Sequence, residues 1–68
     1  MNEEVLNTSM RKFLKTVGVT SQREIEKAVR DAVASGRIKG HEALKARVVL
    51  TIGEVGLEHT INSTIELE

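Results

Sequence analysis

The stretch Leu14-Lys15-Thr16-Val17-Gly18-Val19-Thr20-Ser21-Gln22-Arg23-Glu24-Ile25 decides how the first half of the chain folds. It reads as the end of one helix and the start of another. Upstream of it, apolar residues recur at Leu6, Met10, Phe13 and Val17, with Val5 and Leu14 widening the stripe. That is the period of an amphipathic helix with one buried face. Asn2 is a good N-cap for this helix, and Glu3 and Glu4 suit the positive end of its dipole. Gly18 follows the last apolar residue, where a left-handed residue closes a helix at little cost, and Lys15 suits the last turn. Ser21 and Glu24 then stand at the spacing of a capping box. The second helix carries Ile25, Ala28, Val29, Ala32 and Val33 on one face and is stopped by Gly36, with Arg37 close by. So short a link makes the two helices fold back on each other as a helical hairpin.

After Gly40 the period changes to two. Ala46, Val48, Leu50 and Ile52 alternate with Arg47, Val49 and Thr51. Further on, Leu57, Ile61, Ile65 and Leu67 share one face, while Glu58, Thr60, Asn62, Thr64, Glu66 and Glu68 share the other. Gly53-Glu54-Val55-Gly56 between them supplies a hairpin loop. The expected fold class is therefore α+β, in the order α-α-β-β. Two N-terminal helices are followed by a C-terminal antiparallel β-hairpin packed on them. No linker or repeat interrupts the chain, so residues 1–68 are read as one small domain. Phe13, the only aromatic residue, is expected at the centre of an aliphatic core.

A chain of 68 residues buries only about 60% of the surface that its unfolded form exposes, so it is expected to be marginally stable alone. Small scaffolds usually add a disulfide, a metal or a partner subunit. Cysteine is absent, which excludes disulfides and thiolate zinc sites. His41 and His59 cannot close a structural metal site without carboxylates, and no cofactor motif is present. Association with another chain remains. The absence of proline and a 40% apolar content argue for a folded chain over a disordered one. No apolar run reaches the ~20 residues of a membrane span. Met1-Asn2-Glu3-Glu4 is acidic where a signal peptide is basic, so a cytoplasmic protein is expected. Net charge is zero, but it is unevenly spread. Ten bases and four acids lie between Arg11 and Arg47, and the other six acids lie outside that span with no base. Such segregation suits either pairing between the parts or a basic binding face.

The run Arg11-Lys12-Phe13-Leu14-Lys15-Thr16-Val17-Gly18-Val19-Thr20-Ser21-Gln22-Arg23-Glu24-Ile25-Glu26-Lys27-Ala28-Val29-Arg30 resembles a family of small bacterial proteins of unknown function. The likeness continues through Ser35-Gly36-Arg37-Ile38-Lys39-Gly40, Leu50-Thr51-Ile52 and Gly56-Leu57-Glu58-His59. The resemblance implies a compact domain and carries no activity, ligand or site residue with it.

Three features point to chemistry. Gly18-Val19-Thr20-Ser21 resembles the turn of a helix-turn-helix DNA-binding motif. However, Glu24 stands where the recognition helix normally carries an apolar residue, and Leu14 where a small one is usual. A winged-helix reading lacks a helix. Arg23, Lys27 and Arg30 form a basic stripe on the second helix that could track phosphates. The same residues stand at pairing distance from Glu24, Glu26 and Asp31, as on an ordinary solvated helix face. With no tyrosine or tryptophan for stacking, single-stranded nucleic acid gains no support. His41-Glu42 is not followed by a second histidine at the zincin spacing, since Lys45 stands there. His59 falls among Leu57 and Ile61 on the apolar strand face, with Ser63 next along and no third group to complete a catalytic set. The chain is expected to be no enzyme. It reads as a protein–protein interaction module that pairs with a second copy through its hairpin and binds an unidentified protein. Nucleic-acid binding through Arg23, Lys27 and Arg30 is the alternative.

Overall fold

Residues Glu3–Ala34 form one unbroken α-helix, α1, in the computed structural model, which describes residues 1–68. The expected helical hairpin is therefore absent, and the chain is α-β-β, still α+β in class. The error lies at Gly18 and Ser21. Positive φ is confined to Gly36, Gly40 and Gly56, so Gly18 is helical and closes nothing. A glycine inside a helix costs about 1 kcal/mol against alanine. Starting a second helix instead carries a nucleation factor of about 10⁻³, roughly 4 kcal/mol. A break would also strand backbone groups on both sides of it. With no proline to force one, continuing is the cheaper course.

The side chains of the stretch agree with this outcome. The Thr16 hydroxyl donates to the Lys12 carbonyl at 3.1 Å, and that of Thr20 to the Thr16 carbonyl at 2.7 Å. Hydroxyls bonded back to the preceding turn decorate a helix interior; they do not cap a new one. Val17, Ser21 and Ile25 follow at steps of four, so the row of the apolar stripe runs on through the site of the expected turn with Ser21 as a polar member. The helix is about 48 Å long at 1.5 Å per residue. Its real ends are those read from the sequence. Asn2 Oδ1 accepts from the Glu4 and Val5 N–H groups at 2.9 and 3.2 Å. At the other end the Ser35 N–H donates to the Asp31 carbonyl, and Gly36 follows with φ of 79°.

The chain divides into two units, Met1–Ser35 and Gly36–Glu68. The second is an antiparallel hairpin of β1, Ala43–Ile52, and β2, Leu57–Glu66. A single 3₁₀ turn, Gly53–Val55, joins the strands. It ends at Gly56 with φ of 65°, a left-handed position that a Cβ would disfavour. The register pairs Leu44 with Ile65, Ala46 with Ser63, Val48 with Ile61, Leu50 with His59 and Ile52 with Leu57. Directly opposed residues share a face, so the alternation read from the sequence is the one observed. Arg47–Asn62, Val49–Thr60 and Thr51–Glu58 lie on the other face.

Neither unit contains a core. No residue of the chain is buried, and Phe13, expected at the centre of packing, is 53% exposed.

Candidate interaction surface

The helix places Arg23, Lys27 and Arg30 on one side, as their spacing requires. Glu26 occupies the neighbouring row. Its carboxylate accepts from Gln22 Nε2 at 3.1 Å and lies 3.8 Å from Arg30 Nη1. The Arg30–Glu26 pair is an exposed i,i+4 contact, of the kind that contributes a few tenths of a kcal/mol at most. The basic stripe therefore has the character of a solvated helix face. The helix-turn-helix reading loses its basis, because no turn exists between residues 18 and 21 and no second helix is set at an angle to the first.

Counted unit by unit, the charge is nearly balanced. Residues 1–35 carry six bases and five acids, and residues 36–68 carry four bases and five acids. Within the hairpin the bases Lys45 and Arg47 lie on β1, and the acids Glu58 and Glu66 lie on the adjacent β2. The strands that the sequence separates into basic and acidic are neighbours in the sheet.

The best-formed polar cluster surrounds Glu42. Its carboxylate accepts backbone N–H groups from Lys39 at 2.8 Å, Gly40 at 2.9 Å and His41 at 3.0 Å. Gly40, with φ of 99°, turns the backbone so that these donors converge. These bonds, the one from Lys39 first, hold the Glu42 carboxyl below the usual carboxylate range. The arrangement resembles an anion-binding nest, but the chain's own carboxylate fills it. Beside it His41 Nδ1 lies 3.1 Å from Glu68 Oε2, both side chains being exposed. The cluster thus ties the segment before β1 to the end of β2, where the Leu67 N–H donates to the Glu42 carbonyl. Its role is to close the open end of the hairpin. Sequence reasoning weighed His41-Glu42 only against a zinc motif, which Lys45 rules out, and missed this clamp.

His59 stands opposite Leu50, with Ser63 two positions along the same face, and all three positions open to solvent in part or fully. No group of three or more His, Asp or Glu side chains converges to hold a metal ion. Depressions beside Thr8 and Lys12 on the helix, and beside Lys45 and Asn62 on the hairpin, are open surface features.

An exposed apolar row runs along each unit. On α1 the stripe of Leu6, Met10, Phe13, Leu14 and Ile25 is exposed. On the hairpin Val48, Ile52, Leu57 and Ile61 are exposed along one face. Monomeric soluble proteins rarely leave contiguous apolar surface of this kind uncovered. The sequence periodicity located both stripes.

A single amphipathic helix followed by a single β-hairpin, with open apolar faces, defines this as a small α+β protein. No helix is long and apolar enough to cross a membrane. The chain belongs to the family of unknown function DUF6494, which it matches over residues 1–68. No curated protein and no solved structure matches it.

Proposed function

We propose that this chain is a small, non-catalytic protein–protein interaction module of the cytoplasm, and that its first partner is a second copy of itself. The observation that carries this reading is the lack of any buried residue within either of two well-formed amphipathic units. Folding must offset about 1–2 kcal/mol of backbone entropy per ordered residue, and burial is the main term available to do so. A lone helix and a lone two-stranded hairpin are each marginal in water. Covering the apolar stripes by association supplies the missing burial.

Thermal unfolding at several protein concentrations tests the reading. Mass action makes the melting temperature of a self-associating chain rise with concentration. A rise over a hundredfold range of concentration is expected. A cooperative transition at one fixed temperature over that range would refute the proposal.

A further inference from the structure

The edge strand β1 is built to pair with itself. The Leu67–Glu42 hydrogen bond fixes the phase of the ladder: even-numbered residues of β1 bond inward to β2. Ala43, Lys45, Arg47, Val49 and Thr51 therefore direct their N–H and C=O groups toward the open edge. No proline and no bulge interrupts this edge, and Lys45 and Arg47 are the only residues of the charged kind that discourage further pairing.

Two copies related by a two-fold axis normal to the sheet can pair only in registers centred on a residue, because opposed residues must share a face. β1 spans Ala43–Ile52, so the longest overlap comes from centring on Arg47 or on Val48. Centring on Arg47 sets that guanidinium against its own copy. Centring on Val48 opposes Leu44 to Ile52, Ala46 to Leu50 and Val48 to itself on the apolar face. On the other face Lys45 meets Thr51 and Arg47 meets Val49, so no like charges are directly opposed and the two Arg47 residues are only diagonal neighbours. β2 has no equivalent register. Centred on Asn62 it opposes Glu58 to Glu66, and centred on Ile61 it opposes His59 to Ser63 on the apolar face.

We propose that two copies of the chain join through β1, antiparallel and centred on Val48, into a four-stranded sheet of order β2-β1-β1-β2 whose one face is mainly apolar. This rests on the self-association reading and names its interface. Pairing of β1 with the β2 edge of another copy would bring bases to acids. It leaves a free edge on every added copy, and so gives filaments and not a closed dimer.

Single-cysteine variants of the full chain test the register on a cysteine-free background. At the two-fold centre the two Val48 Cα atoms form a non-hydrogen-bonded pair about 4.5 Å apart, within disulfide range. In a glutathione redox buffer, Val48→Cys is expected to give mainly disulfide-linked dimer, while Leu50→Cys and Ile61→Cys stay mainly unlinked. If Val48→Cys disturbs folding, a mixture of Arg47→Cys and Val49→Cys should cross-link to each other in preference to themselves. Cross-linking of Ile61→Cys alone, or of none of these in a protein that sediments as a dimer or a filament, would overturn the β1 interface and leave self-association standing. No cross-linking in a protein that sediments as a monomer would overturn both.

Discussion

At the scale of single residues, Gly18 has the most to say about the fold. It is helical, and a Cβ built on it meets nothing within 4 Å. Gly18→Ala should therefore stabilise the protein by about 1 kcal/mol, measured by urea or thermal unfolding. Had Gly18 closed a helix in the left-handed region, the same change would destabilise by about that amount or more. The sign alone separates one helix from two. Gly56, at φ of 65° in the hairpin loop, should show the opposite behaviour, with Gly56→Ala costing about 1–2 kcal/mol. The glycine signal in the sequence was sound for Gly36 and Gly56 and misleading for Gly18. A glycine reports only that a left-handed residue is permitted there. Whether one occurs depends on the cost of the break compared with the cost of continuing, and the sequence near Gly18 contains no proline to raise the latter.

At the scale of elements, the hairpin was the more legible half. Its alternation fixes which side chains share a face, and a slip of one residue would exchange them all. The caps at Asn2 and Gly36 were equally readable, because each acts on its nearest neighbours. The Glu42 clamp was not, since three converging N–H groups are a property of backbone conformation and not of residue type. That clamp makes a pH prediction. The Glu42 carboxyl is held below its ordinary value of 4.5 by backbone donors. A depressed carboxyl contributes stability that is present above its unfolded pKa and is lost as the pH falls through its folded pKa. The closed end of the hairpin should thus stay ordered near pH 5 and loosen only in the more acidic range. Amide exchange at Lys39, Gly40 and His41 reports this directly: their protection should disappear in Glu42→Ala at neutral pH. Unchanged protection in that variant would show that the loop holds itself without the carboxylate.

At the scale of the whole molecule, the decisive property is that neither unit encloses a core of its own. The sequence shows how much apolar surface each element has and on which face, but not whether the covering comes from the same chain. Phe13 makes the difference measurable. Burying a phenylalanine contributes about 1.5–3 kcal/mol, and Phe13 is half exposed in the single chain. Phe13→Ala should accordingly weaken self-association by roughly tenfold, equivalent to about 1.4 kcal/mol, as seen by dilution calorimetry. An unchanged dissociation constant with a lower melting temperature would place Phe13 inside a single-chain core. The most direct measurement is sedimentation equilibrium over a wide range of loading concentrations. The account predicts a species of twice the 7.5 kDa chain mass that dissociates on dilution. A single 7.5 kDa species, folded and unchanged up to about millimolar concentration, would contradict it.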